Sequence, residues 1–127
     1  MVNYCFALSI VGEMELVKKF AQEHDGHTKE HDEFYRIAGI SREQIWIQRS
    51  PPGSAPDLQI VSIETTNPAN TFKEFATSNH PWAVRFRDYA KKAYGIDFTG
   101  PPLPLNKNIV DWKEQTTLII FLPQFSL

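Results

Sequence analysis

The sequence predicts an α+β fold in which an antiparallel sheet carries its helices on one face. Residues 44–49 and 57–65 are rich in β-branched and aromatic side chains, and they flank a breaker-rich loop at residues 50–56. This pattern is typical of a hairpin. A further strand pattern precedes the hairpin, and helical patterns lie on both sides of it. Both alternating sets of side chains in residues 57–65 include apolar ones, so we expect the sheet to be covered on both faces.

The first predicted strand spans residues 3–11, where large apolar side chains such as Tyr4 and Leu8 alternate with small ones such as Cys5. The alternation predicts one apolar face and one face that packs closely against another layer. On this basis we expect Cys5 to be buried as a small apolar side chain.

A helix is predicted after the first strand, since apolar side chains recur at spacings of three and four as far as His24. Asp25 and Gly26 interrupt the pattern, which resumes at His27. The sequence leaves open whether this interruption is a break or only a kink. The pattern ends at Gly39, where a glycine can adopt the left-handed conformation of a helix C-cap.

Two more helices are predicted after the hairpin. Asn67-Pro68 places a capping residue before a proline at the first helical position, and His80-Pro81 repeats this arrangement. The second of these helices carries an apolar stripe and ends at Gly95. The chain returns to the sheet only if its C-terminal part supplies another strand.

That C-terminal part starts with the proline-rich residues 98–107, which we expect to form an extended connection across the surface. Residues 108–112 and 116–122 are both candidates for a closing strand, and the sequence does not choose between them. Either choice gives the βαββαβ order and the four-stranded antiparallel sheet of a ferredoxin-like fold. We expect one domain over residues 1–115, with residues 116–127 as an extension or as the closing strand.

Composition and charge argue against two classes of partner. The chain has 127 residues, with 13 basic and 15 acidic side chains and a formal net charge of −2. It lacks the basic excess of a nucleic-acid binder, so we expect no nucleic acid as a partner. The longest apolar run, residues 118–122, is far shorter than the roughly 20 residues of a bilayer span, so we expect no membrane either. A single cysteine favours a reducing compartment, and we expect a cytoplasmic protein.

Four segments carry a resemblance to a known family. They are GISREQIWIQ at 39–48, NPANTF at 67–72, YGIDF at 94–98 and PPLP at 101–104. Together they resemble a small bacterial family of proteins of unknown function within the dimeric α+β barrel superfamily, over roughly residues 4–112. The resemblance implies a ferredoxin-like protomer that pairs sheet to sheet. Members of that superfamily include cofactor-independent monooxygenases, haem-binding and haem-degrading enzymes and lactone isomerases, so the fold does not choose a reaction.

We expect a second copy of the chain to cover the open face of the sheet, because one patch then serves both partners through a two-fold axis. The first hypothesis is therefore a homodimeric small-molecule-binding protein without an assignable reaction, whose ligand is small and apolar or aromatic. The alternative is a cofactor-independent monooxygenase or isomerase acting on an aromatic or polyketide-like substrate. We expect no cofactor, which sets aside a third hypothesis, a haem protein.

His24, His27 and His31 are spaced by three and four residues, and an unbroken helix would place their imidazoles on one face. Three such imidazoles can bind zinc. The interruption at residues 25–26 disturbs this geometry, and the spacing matches no established zinc motif. We therefore expect no metal site and interpret these histidines as partly buried or surface side chains.

The candidate catalytic residues are His80, His31 and Tyr35, each of which can transfer a proton to or from a bound ligand. His80 has an alternative interpretation as an ordinary helix-start residue. The candidate ligand pocket combines aromatic rings that hold a flat molecule with arginines that bind an acidic group. Its tryptophans also fit a purely structural role in the core. The pocket candidates are Trp46, Trp82, Arg49 and Arg85.

Overall fold

The computed structural model describes residues 1–115 of the chain. It confirms the α+β class, with helices and an antiparallel sheet, and it confirms the hairpin. The elements in chain order are β1 (Val2–Ser9), α1 (Met14–Asp25), α2 (Lys29–Ala38), β2 (Ile40–Gln48), β3 (Leu58–Thr65), α3 (Pro68–Thr77) and α4 (Pro81–Tyr94).

Within residues 1–115 the sheet has three strands, in the order β1-β3-β2, rather than the four that were predicted. Residues 108–112 form no strand and are exposed, with Ile109 86% and Trp112 77% accessible. Their β-prone composition alone does not make them a strand. β-propensity reflects packing on a half-buried pleated surface, and these exposed residues have no such packing. The other candidate, residues 116–122, lies outside the described residues.

The interruption in the first helical region is a break rather than a kink. The backbone N–H of Gly26 donates to Gln22 O at 2.9 Å as α1 ends, and His27 has a positive φ of 48°. Thr28 then caps α2, since its hydroxyl accepts a hydrogen bond from the N–H of His31 at 3.4 Å. The two helices are therefore free to approach the sheet at different angles.

Helix ends elsewhere follow the sequence signals. Gly39 has a φ of 78°, so the predicted left-handed C-cap of α2 is confirmed. Asn67 Oδ1 accepts from the N–H of Asn70 at 3.2 Å at the start of α3. His80 caps α4 in the same way, with Nδ1 accepting from the N–H of Trp82 at 3.1 Å.

The two faces of the sheet differ in burial. Strand β3 turns one alternating set of side chains toward the helices, and this set is buried. We call this side the helix face and the other side the open face. Pairing of the strands arranges the open face in four rows. The inner two are Cys5–Ser62–Gln44 and Ala7–Ile60–Trp46, and the outer two are Asn3–Glu64–Arg42 and Ser9–Leu58–Gln48.

Cys5 lies on the open face and is exposed, so the predicted burial of this residue is wrong for the single chain. The alternation along β1 does separate two different faces of the strand. What it did not reveal is that no part of the described chain covers the small-residue face.

An irregularity in β2 decides which of its side chains point toward the helices. Ile40 pairs with Thr65 and Arg42 pairs with Glu64, so one extra residue, Ser41, lies between two successive pairs. Such a β-bulge shifts the alternation by one residue. Beyond it, Glu43 pairs with Ile63 on the helix face.

The core lies between the helix face and the helices. Trp82 of α4 and Phe34 of α2 are fully buried, with their rings stacked at a centroid distance of 5.6 Å. A neighbouring cluster joins Leu8 of β1 to Val17 of α1 and Tyr89 of α4. Among residues 1–115, no helix is both long enough and apolar enough to cross a bilayer.

Candidate functional site

A cavity of about 400 Å³ lies between the helix face of the sheet and the helices. We call it the main cavity. Its walls are mostly apolar, because both the strands and the helices turn large hydrophobic side chains toward it. Examples are Phe6, Ile45 and Val61 from the sheet and Phe20, Phe75 and Phe86 from the helices.

Three polar side chains meet at the wall of the main cavity. Tyr35 of α2 donates a hydrogen bond from its hydroxyl to Glu43 Oε1 of β2 at 2.8 Å. The Nε2 atom of His24 in α1 lies 3.1 Å from that hydroxyl and 3.4 Å from Glu43 Oε1. The His24 and Glu43 side chains are only 17% and 15% exposed. Three separate elements thus bring together groups that can donate and accept protons.

Burial shifts the pKa of each member of this cluster. Desolvation raises the pKa of Glu43, although the attraction of His24 and the hydrogen bond from Tyr35 oppose it. Burial, and then the nearby Glu43 charge, raise the pKa of Tyr35 well above its ordinary value. Burial lowers the pKa of His24 despite the attraction of Glu43. Each shift favours the neutral form of its side chain.

His31 lies beside His24, with the two ring centroids 4.7 Å apart. Its Nδ1 atom is 2.9 Å from Asp32 Oδ1, and this hydrogen bond lowers the pKa of Asp32. Its Nε2 atom is buried and has no hydrogen-bond partner among the described residues. Ligand atoms of His24, His31 and Glu43 all lie within 4.8 Å of one another.

A second polar group on the cavity wall is a chain of three side chains. The Tyr94 hydroxyl donates to Gln59 Oε1 at 2.7 Å and lies 2.9 Å from the Tyr89 hydroxyl. Burial raises the pKa of both tyrosines, so both remain neutral phenols at physiological pH. Gln59 comes from the central strand and the tyrosines come from α4 and its last turn.

Lys18, Ile47 and Arg49 form the part of the cavity wall that reaches solvent. The Arg49 side chain is 78% exposed, with Nε 3.9 Å from Asp57 Oδ2. The Lys18 side chain is also exposed, with Nζ 3.6 Å from Glu15 Oε1. The cavity therefore opens between α1 and the C-terminal end of β2, at an entrance that carries two cations.

A second cavity of about 590 Å³ lies beside β1, between α3 and residues 97–106. Asn106 holds this proline-rich connection along the edge of β1: its backbone N–H donates to the Tyr4 hydroxyl and its amide donates to Cys5 O at 3.0 Å. The charged side chains on its wall, Lys73 and Asp97, are exposed. The second cavity therefore offers apolar volume without a buried titratable cluster on its wall.

Four residues that the sequence pointed to lie at or beside the main cavity. Tyr35 and His24 are on its wall, Arg49 is at its entrance and His31 contacts His24. His27 is exposed, with Nδ1 3.6 Å from Asp32 Oδ2. The break between α1 and α2 separates His27 from the other two histidines and leaves those two together.

The two tryptophans among the pocket candidates lie away from the cavity wall. Trp46 is on the open face of the sheet and is 50% exposed. Trp82 is fully buried in the core, where its ring lies 5.4 Å from that of Phe20 and 5.6 Å from that of Phe86. Trp82 thus packs behind the cavity wall, because Phe20 and Phe86 form part of that wall.

His80 and Arg85 lie outside the residues that form either cavity. The His80 ring caps α4 through Nδ1, and its Nε2 is 3.3 Å from Glu33 Oε2. Arg85 is on the surface of α4 and pairs with Glu30 and Glu23. Both side chains therefore link helices to one another.

Glu43, Gln59 and Tyr94 were not singled out from the sequence. One signal was available, since Glu43, Ile45 and Ile47 alternate in phase, which places a carboxylate among apolar side chains on one face of a strand. Gln59, Val61 and Ile63 alternate in phase in the same way along β3. A polar side chain in phase with a buried face is a recognisable sign of a polar group in a core.

Comparison of the chain with known protein families, with curated proteins and with solved structures finds no match. The three-stranded antiparallel sheet with its helices is compatible with a ferredoxin-like fold.

Proposed function

We propose that this protein binds a small, largely apolar or aromatic molecule in the main cavity. One observation carries the proposal: an apolar cavity of about 400 Å³ has a buried carboxylate, Glu43, and a buried phenol, Tyr35, on its wall. Protein interiors are normally close-packed, with few voids larger than a water molecule. Ligand cavities of roughly 300 to 1,000 Å³ combine apolar walls with a few polar groups in this way.

The ligand is expected to have a flat apolar body and at least one hydrogen-bonding group. Rings of phenylalanine on both sides of the cavity favour an aromatic or polycyclic body. A hydroxyl on that body can hydrogen-bond to Glu43 or to the Gln59 amide. The cations Lys18 and Arg49 at the entrance additionally favour an acidic substituent that remains near solvent.

The proposal includes a homodimer that pairs through the open face, as in a dimeric α+β barrel. Support comes from an inner row of that face, where Ala7, Ile60 and Trp46 form an apolar stripe across three strands. Half of the Trp46 surface is exposed in the single chain. A two-fold axis through this row would bury the stripe of each protomer against that of the other.

Binding of 1-naphthol, measured by isothermal titration calorimetry, tests the cavity. We expect saturable binding at one site per chain, and roughly tenfold weaker binding of naphthalene, which lacks the hydroxyl. Ala21→Phe fills the main cavity and is expected to abolish binding. Ala69→Phe places the same side chain in the second cavity and is expected to leave binding unchanged.

Two results would contradict this proposal. One is binding that is weakened by Ala69→Phe and not by Ala21→Phe, because it would assign the ligand to the second cavity. The other is no binding of either probe by wild-type protein that is folded by circular dichroism.

A second function, a cofactor-independent monooxygenase or isomerase, is favoured by the position of Glu43 and Tyr35 against the ligand space. A carboxylate and a phenol within hydrogen-bonding reach of a bound quinol can take up and return a proton. Chelator-treated protein that consumes oxygen with a naphthalenediol substrate would support this function. A binding protein would leave the diol unchanged.

A further inference from the structure

Two histidines and one glutamate converge beside the main cavity in a way that the ligand-binding proposal does not use. Nitrogens of His24 and His31 and a carboxylate oxygen of Glu43 lie within 4.8 Å of one another. They come from the end of α1, the first turn of α2 and strand β2. The three side chains are 17%, 9% and 15% exposed, respectively. The cluster is therefore built by the fold and largely shielded from solvent.

The outer hydrogen bonds of both imidazoles fix which nitrogen is free. His24 Nδ1 lies 3.1 Å from the carbonyl oxygen of Phe20, and His31 Nδ1 lies 2.9 Å from Asp32 Oδ1. A carbonyl or carboxylate oxygen only accepts, so each Nδ1 carries its hydrogen. In the neutral imidazoles, both Nε2 atoms therefore present lone pairs. Histidine ligands in metal sites are held by the same kind of outer hydrogen bond to a carbonyl or carboxylate.

Within residues 1–115, one of the two free nitrogens, His31 Nε2, lacks the partner that a purely structural cluster would supply. His31 Nε2 is buried and has no hydrogen-bond partner among the described residues. His24 Nε2 lies 3.1 Å from the Tyr35 hydroxyl and 3.4 Å from Glu43 Oε1. The hydroxyl donates its single hydrogen to Glu43, so a second proton or a cation is needed to satisfy His24 Nε2 as well. Buried polar atoms without partners are rare in native proteins, and an ion is one explanation for them.

We propose that His24, His31 and Glu43 bind a divalent transition-metal ion such as Zn²⁺ or Fe²⁺. Two imidazoles and one carboxylate are a ligand set of catalytic zinc and non-haem iron sites. A metal ion about 2.0–2.2 Å from each ligand places neighbouring ligand atoms about 3.0–3.5 Å apart. His24 Nε2 and Glu43 Oε1, which are 3.4 Å apart, already have this spacing. No two ligand atoms of the cluster are more than 4.8 Å apart. Side-chain rotations that bring the most distant pair closer by at most about 1.8 Å would therefore complete the site.

Metal at this site would have an open coordination position, because three protein ligands leave room for water or a substrate atom. His24 and Glu43 line the main cavity, so a ligand in that cavity lies next to the ion. With metal bound, the Glu43 carboxylate is a ligand rather than a free base. A metal-bound protein and a cofactor-independent enzyme are therefore alternative uses of the same side chain.

The test uses the 127-residue chain treated with a chelator and titrated with ZnCl₂ by calorimetry, without any organic ligand. We expect one Zn²⁺ per chain. His31→Gln and Glu43→Gln are expected to weaken binding by more than about 100-fold, since loss of an outer hydrogen-bond partner alone costs roughly 10- to 100-fold. Asp32→Asn, which alters only that outer partner of His31, is expected to fall in the 10- to 100-fold range. Co²⁺ should give a visible absorption band in wild-type protein that His31→Gln removes.

His27→Gln is the matched control, because His27 is exposed and lies in the same segment outside the cluster. It is expected to bind Zn²⁺ like wild type. The site is ruled out if chelator-treated wild type binds no stoichiometric Zn²⁺, or if His27→Gln and His31→Gln bind equally. A circular dichroism melt of each variant separates loss of the site from loss of the fold. The two proposals can fail independently. A chain that binds no Zn²⁺ can still bind 1-naphthol, and a chain that binds no 1-naphthol can still bind Zn²⁺.

Discussion

Tyr94 lies in the core with its hydroxyl between two other polar groups. It donates its single hydrogen to Gln59 Oε1, so the Tyr89 hydroxyl must act as the donor in the bond between the two tyrosines. The three groups are at most 7% exposed as residues. A phenol in this position orients the central-strand glutamine and so shapes the polar part of the cavity wall.

Tyr94→Phe is expected to lower the free energy of unfolding by about 1–3 kcal/mol, because it leaves a buried amide oxygen and a buried hydroxyl without partners. Tyr89→Phe removes the same atoms but keeps the Tyr94–Gln59 bond, so a smaller loss of about 0.5–1.5 kcal/mol is expected. Urea denaturation followed by circular dichroism measures both. Equal losses would contradict the assigned direction of the hydrogen-bond chain.

The junction of α3 and α4 shows how one side chain joins two elements. Arg87 of α4 reaches back to the end of α3, where Nη1 donates to Phe75 O and Nη2 donates to Ser78 O, both at 2.8 Å. These carbonyls belong to the last turn and C-cap of α3, where intrahelical partners run out. Arg85, two residues earlier on the same helix, pairs with Glu23 and Glu30, whose side chains are 35% and 47% exposed.

Arg87→Met is expected to cost about 1–2 kcal/mol of unfolding free energy, since two carbonyls at a helix end lose charged donors. Arg85→Met is the matched change on the surface and should cost less than about 1 kcal/mol. Thermal and urea unfolding of the two variants provide the comparison. A larger loss in Arg85→Met than in Arg87→Met would show that the surface ion pairs, and not the helix-end carbonyls, hold α4 in place.

At the scale of the whole molecule, the sheet has one covered face and one open face. The helices cover the helix face and leave a ligand-sized cavity above it. On the open face, the row Ala7–Ile60–Trp46 is apolar, while the outer row Asn3–Glu64–Arg42 is polar. An apolar centre with a polar rim is the arrangement of a protein interface.

Trp46→Glu is expected to convert a dimer of the wild-type chain into a monomer, because it would place two carboxylates opposite each other at the two-fold axis. Val84→Glu is the control, since Val84 is equally exposed, at 49%, but lies on α4. Size-exclusion chromatography with light scattering gives the mass of each variant. A monomeric wild-type chain, or a dimer that survives Trp46→Glu and dissociates in Val84→Glu, would contradict pairing through the open face.

Features that depend on near neighbours in the chain were predictable. The hairpin, the proline-led helix starts and the left-handed cap at Gly39 each follow from residue types a few positions apart, so local sequence determines them. The candidate closing strand at residues 108–112 does not follow from local sequence in this way. Residues 108–112 have the composition of a strand and still lie exposed, because a strand forms only where a partner strand is present.

The candidate site depended on features that no local pattern carries. The extra residue at Ser41 turns Glu43 toward the helices, and the break after Asp25 separates His27 from His24 and His31. The sequence drew attention to all three histidines and missed the carboxylate that meets two of them.

The sequence by itself determined the α+β class, the order of the helices and the hairpin, and a net charge without basic excess. Only the tertiary structure decided that Glu43, Tyr35 and His24 share one cavity wall and that Trp46 and Trp82 lie in different environments. The physical reason is range: hydrophobic periodicity and capping act over a few residues, whereas burial and the meeting of side chains from α1, α2 and β2 depend on how distant segments pack.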